Sequence, residues 1–108
     1  MTVNPIAYQR LAEAAKGRET VTVAEVGDLT GLSAADPDGR AILDLVLDNI
    51  AASEAQEGRP LLPAVVVEAA GGPLGAGLAR YARRAGVAVD AASLAAELER
   101  VYRHWAGP

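Results

Sequence analysis

Few residues in this chain could do chemistry, and their spacing decides most of what they could do. Asp44 and Asp48 stand one helical turn apart within the run Arg40 to Glu57. Two carboxylates so placed can serve acid–base catalysis only if a pocket separates their pKa values. Ile42, Leu43, Val46, Leu47 and Ile50 form an apolar stripe at helical period through the same run, and the two aspartates fall on the opposite side, so a solvated face is expected for them. Asp36-Pro37-Asp38-Gly39 opens like a calcium loop, but the bidentate acid needed at loop position 12 falls on Leu47. That tetrapeptide reads instead as an N-cap with proline at the first helical position. Gly72, Gly75 and Gly77 lie between an apolar run and a helix, where a phosphate-cradling turn would sit. Their spacing matches neither GxGxxG nor GxxxxGK[ST], and the alternating strands and helices of a dinucleotide fold do not follow. An ordinary glycine turn is expected.

His104 is the only histidine, and cysteine is absent. Disulfides, thiolate zinc sites and thiol nucleophiles are therefore excluded. Ser33, Ser53 and Ser93 occupy no nucleophile elbow. The expectation is a protein that is not an enzyme, with no metal and no cofactor.

Charge is unevenly distributed. Residues 1–27 balance; residues 28–58 set Arg40 against seven acids, a net charge of −6; residues 59–108 set six arginines against four acids, a net charge of +2. The acidic middle suits a partner with a basic surface better than a phosphate backbone. Asp44, Asp48 and Glu54 are the expected partner-binding face. Arg80, Arg83 and Arg84, with Arg59, either contact phosphates or simply solvate their own segment.

These residues must be positioned by a short succession of elements. Asn4-Pro5 starts a first helix, with Ile6, Leu11, Ala12 and Ala15 turned inward and Gly17 at its end. Thr20 to Val23 is β-branched and short and reads as a small strand or an extended entry to the next helix. Thr22 and Glu25 fit a capping box for a second helix carrying Val23, Val26 and Leu29, which Thr30-Gly31 closes and from which Leu32 returns to the core. The long helix around Arg40 to Glu57 follows, with Gly58 suited to its C-terminal turn. Leu61 to Val67 is apolar throughout, as a strand covered on both faces would be, with Pro63 near its start. Its expected sheet partners are Thr20 to Val23 and Val87 to Val89. Leu78 to Ala85 forms a short helix ended by Gly86. Asp90 caps a last helix, Ala91 to Trp105, whose stripe is Leu94, Leu98, Val101, Tyr102 and Trp105, with Glu99 and Arg103 paired outside.

The order helix, short strand, TVTVAEVGDLTGL helix, third helix, PLLPAVVV strand and glycine turn resembles a winged-helix domain. Within that class, residues 20–77 look like the C-terminal domain of alkylguanine alkyltransferases and alkyltransferase-like proteins. The resemblance implies a third helix that reads DNA. In that family a cysteine in a PCHR motif accepts the alkyl group, whereas this chain reads Arg59-Pro60-Leu61-Leu62-Pro63 in the comparable place, so alkyl transfer is excluded. Its third helix is also longer and more acidic than the family's.

The sequence thus predicts one domain over residues 1–108, since its 108 residues suit a single core. The expected fold is α+β, mostly helical and winged-helix-like, with about five helices and a two- or three-stranded sheet. The expected function is protein binding of an accessory, regulatory or immunity type, with winged-helix DNA binding through the arginines as the alternative and a homodimer as a further possible state. No signal peptide or membrane span is read from MTVNPIAYQR or from the apolar run Leu61 to Val67, and a cytoplasmic location is expected.

Overall fold

In the computed structural model, which describes residues 3–86 and 90–107, five helices surround a two-stranded parallel sheet. Helix α1 (Pro5–Lys16) begins where the Asn4 side chain accepts hydrogen bonds from the amides of Ile6 and Ala7 at 3.0 and 3.1 Å. Its buried residues are Ala7, Leu11, Ala12, Ala14 and Ala15. Ile6, expected inside, is instead 54% exposed, because it lies one helical step (about 100°) outside that sector.

Strand β1 (Val21–Thr22) leads directly into α2 (Val23–Thr30), where the Thr22 hydroxyl accepts from the Glu25 amide at 3.1 Å. The Glu25 carboxylate faces Arg10 at 3.3 Å, so the cap is built from the threonine side. Gly31 ends α2 in the left-handed region, and Leu32 folds back to donate its amide to Gly27. Leu29 is 44% exposed, on the outside of α2 and not on the expected inner face.

Helix α3 (Pro37–Gln56) is capped by Asp36, which accepts from the Gly39 amide at 3.0 Å. The expected stripe is rotated. Leu43, Leu47 and Ile50 are buried, but so are Gly39, Asp48, Ala51 and Glu54, while Ile42 stands 49% exposed. The physical reason is that α3 is covered on more than one side, by α2, by the segment 62–65 and by the helix that follows the glycine turn.

Leu61 to Val67 is a strand only at its end. Leu62–Val65 forms a 3-10 turn, and β2 is Val66–Val67, paired in parallel with β1 as Val21 with Val66 and Thr22 with Val67. Pro63 has no amide to give a ladder, and the Ala64 amide closes on Leu61 at 2.9 Å. The expectation of full coverage is met, since Leu62 through Val67 are all buried. The third strand expected at Val87 to Val89 lies outside the described residues.

The glycine segment closes through an antiparallel bridge between Val67 and Leu74 and a second 3-10 turn, Ala76–Leu78, before α4 (Ala79–Ala85). Gly77 is required for packing: a Cβ there would collide with the carbonyl oxygen of Pro63 and stand 2.8 Å from Val66 Cβ.

Helix α5 (Ala91–Ala106) is capped by Asp90, which accepts from the Ser93 amide at 2.7 Å. It packs on α1 and on the 62–65 turn. Val101 is fully buried, with Leu94, Leu98, Tyr102 and Trp105 partly buried around it. Polar tethers reinforce this contact. The Leu61 amide donates to Glu97 at 2.7 Å, and the Tyr102 hydroxyl donates to the Glu19 carbonyl at 3.0 Å. Trp105 meets Tyr8 edge to face with ring centroids 6.1 Å apart. No helix among the described residues is long and apolar enough to cross a membrane.

Three outcomes follow from this packing. Trp105→Ala will cost about 3 kcal/mol, the lower end for a large aromatic because the ring is only partly buried, with a urea midpoint independent of protein concentration. Arg103→Ala, on the exposed side, will move the midpoint by less than about 0.5 kcal/mol. Gly77→Ala will destabilise by about 1–3 kcal/mol through overpacking, measured by the same denaturation.

Candidate functional site

The charged residues singled out in the sequence converge on α3, but as internal pairs. Asp44 is half-buried and accepts from Arg40 Nε at 3.0 Å, while Arg40 Nη1 reaches Glu68 at 2.6 Å. Asp48 is 4% exposed. Its Oδ1 accepts from Arg84 Nη2 at 3.1 Å and Nε at 3.4 Å, and Arg80 Nε stands 3.6 Å from Oδ2. Glu54 is fully buried. It accepts from Arg59 Nε and Nη2 at 2.9 to 3.2 Å and from the Tyr8 hydroxyl at 2.9 Å.

The expected acidic partner-binding face therefore needs correction. Asp48 and Glu54 point into the protein, and of the three acids only Asp44 remains within reach of solvent. A buried carboxylate is retained only when it is paired and hydrogen-bonded. Here α4 supplies the counter-charge for Asp48, and the chain leaving α3 supplies it for Glu54. Arg59, Arg80 and Arg84, expected as phosphate contacts, are those counter-charges. Arg83 is exposed and makes no ion pair among the described residues.

A signal for this arrangement was present in the charge blocks. Residues 28–58 carry a negative excess and residues 59–108 a positive one, which is also what intramolecular neutralisation looks like. Arg80 and Arg84 stand four apart, the spacing that brings two side chains to one helix face. Tyr8 gave no comparable signal, because its role depends on the fold bringing it to Glu54, 46 residues along the chain.

Burial, followed by the hydrogen bond to Glu54 and that carboxylate's charge, raises the Tyr8 hydroxyl pKa above its ordinary 10.0, against the opposing pull of Arg59. The hydrogen bond to Glu54 raises the Arg59 guanidinium further above its already high value. The arginine thus stays charged and the tyrosine neutral through the ordinary pH range.

Beside the Asp48 pair, α3 and α4 flank an open cleft of about 520 Å³ lined by Ala52, Ser53, Ala55, Gln56, Tyr81 and Arg84. The Arg84 guanidinium lies 5.5 Å from the Tyr81 ring centroid. The remaining sequence candidates do not join a common site. His104 is exposed and edge-on to Trp105, Asp36 is spent as a helix cap, and Gly75 and Gly77 pack against Leu94 and Pro63. Among the described residues, no group of three His, Asp or Glu side chains gathers as a metal site. Comparison of the chain with protein-family models, with curated proteins and with solved structures finds no match.

The Glu54 cluster makes a checkable energetic claim. Glu54→Gln will cost about 2–3 kcal/mol because Arg59 loses its charged partner, and Tyr8→Phe about 1 kcal/mol. The two losses will be non-additive in a double-mutant cycle read by urea denaturation. The pH dependence has a definite sign. A raised folded-state pKa means that the Tyr8 contribution is intact below pH 10.0 and is lost as pH rises through the folded value. Tyr8→Phe will therefore flatten the decline in stability between about pH 9 and pH 11.

Proposed function

We propose that the protein is a non-enzymatic protein-binding module whose partner docks on the outward face of α3. The observation that carries this reading is the placement of Ile42 and Leu45, which are 49% and 43% exposed. They stand three residues apart on one side of the longest helix, and residues at that spacing are neighbours on a helix surface. Single exposed aliphatic residues are ordinary, but adjacent ones on the face of a central helix support an interaction surface. Asp38 and Ala41 are exposed in the same helix, and Asp44 lies beside Leu45. The partner chemistry this favours is an apolar patch rimmed by basic groups, with the aliphatic pair as its centre.

The helix order that resembles a winged helix would make α3 the DNA-reading element. Its exposed Ile42 and Leu45 suit base edges and phosphates poorly, because phosphate contact needs cations and base readout needs donors and acceptors. The DNA alternative draws on Arg83 and on the exposed parts of Arg80 and Arg84, and it predicts a gel shift at about 50 mM salt that fades steeply as salt rises.

The test is the double variant Ile42→Ser with Leu45→Ser. Its thermal midpoint will match the wild type, since the two side chains contribute little to the core. Its affinity for a partner identified by cross-linking and co-purification will fall at least about tenfold. Equal binding by wild type and variant would show that this face is not the interface.

A further inference from the structure

We infer that the cleft between α3 and α4 binds a small organic anion through its oxyanion, independently of the outward face of α3. The volume of about 520 Å³ lies within the roughly 300–1,000 Å³ of small-molecule sites. The charge balance favours an anion. Asp48 brings one negative charge and Arg80 and Arg84 bring two positive ones, and of these three Arg84 lines the cleft.

Arg84 is held ready for such a ligand. Its Nε and Nη2 are engaged with Asp48 Oδ1, and its guanidinium carbon lies 5.5 Å from the Tyr81 ring centroid. Nη1 makes no hydrogen bond to protein among the described residues. A guanidinium fixed on one edge by a buried carboxylate loses little rotamer freedom when its other edge meets a ligand.

The other polar groups lining the cleft have the same sense. Ser53 Oγ, the Gln56 side-chain amide and the Tyr81 hydroxyl make no protein hydrogen bond among the described residues, and each can donate. The carbonyls at the adjoining end of α3 are already used. Ser53 accepts from Glu57 at 3.2 Å, Ala55 from Gly58 at 3.1 Å, and Glu54 from Arg59 at 2.9 Å. Donors not spent on protein therefore face the cleft, on hydroxyl and amide groups that can also accept. Ala52 and Ala55 supply apolar lining for the body of a ligand whose head is a carboxylate or a phosphate.

The experiment is a titration of the full chain, followed by amide chemical shifts, with benzoate, phenyl phosphate and benzamide. Benzoate or phenyl phosphate will shift the amides of residues 52–56 and 81–84 saturably, and the tighter of the two identifies the head group. Benzamide, of similar size but uncharged, will not. Ser53→Ala and Gln56→Ala will each weaken binding about fivefold, as loss of one hydrogen bond implies, with an unchanged thermal midpoint. Arg84→Lys keeps a charge against Asp48 but loses the planar fork, and it will weaken binding more than either. The inference is overturned if neither anion shifts these amides, if benzamide shifts them equally, or if the shifts never saturate and spread over all surface arginines.

Discussion

Burial of two carboxylates on one helix is the constraint on which the rest of this structure depends. Glu54 is fully buried and Asp48 nearly so, and an ionised carboxylate removed from water is strongly destabilising unless cations and donors surround it. The chain meets that requirement from three directions. Arg59 comes from the segment just beyond α3, Tyr8 from α1, and Arg80 and Arg84 from α4. Each pairing fixes an element relative to α3. The end of α3 is tied to α1, and α4 is tied along its side. The same pairings leave α3 with a solvent face on which Ile42 and Leu45 stand beside Asp38 and Asp44.

Directional polar ties matter here because the apolar core is built from small side chains. Ala7, Ala14, Ala15, Ala51 and Ala64 are buried beside valines and leucines, and the chain has no Phe. Alanine lets backbones approach closely but removes little area from water per residue. Close approach also places the buried segment 62–67 at the centre, within contact of α1, α3 and α5. Helix α5 shows the combined strategy. One fully buried valine and a partly buried aromatic stripe are supplemented by Glu97 on the Leu61 amide and Tyr102 on the Glu19 carbonyl. These bonds set the seating of the helix more sharply than alanine contacts could, because a hydrogen bond loses strength within a few tenths of an ångström.

The two surfaces that follow from α3 differ in chemistry. The outward sector with Ile42 and Leu45 is apolar and acid-rimmed, which favours a macromolecular partner. The side facing α4 is a cleft lined by Arg84 and by hydroxyl and amide groups. Both arise because one long helix is packed on several sides and keeps only narrow sectors free.

Local signals by themselves determined the helices. Proline after a capping residue at Asn4-Pro5 and Asp36-Pro37, the threonine cap at Thr22, the aspartate cap at Asp90 and the glycine stops at Gly31 and Gly86 act within a few residues, so they were legible in the sequence and appear in the structure. The α+β, mostly helical class followed from them. Tertiary structure alone decided which way α3 faces, because periodicity reports an apolar stripe but not how many neighbours cover the helix. It decided that Leu62–Val65 would turn before Val66 and Val67 could pair, a competition between Pro63 and long-range pairing. It also decided that Asp48 and Glu54 would be internal, since their partners lie 36 residues along the chain at Arg84 and 46 residues back at Tyr8. Whether a carboxylate is solvated or buried depends on which distant groups the fold brings to it.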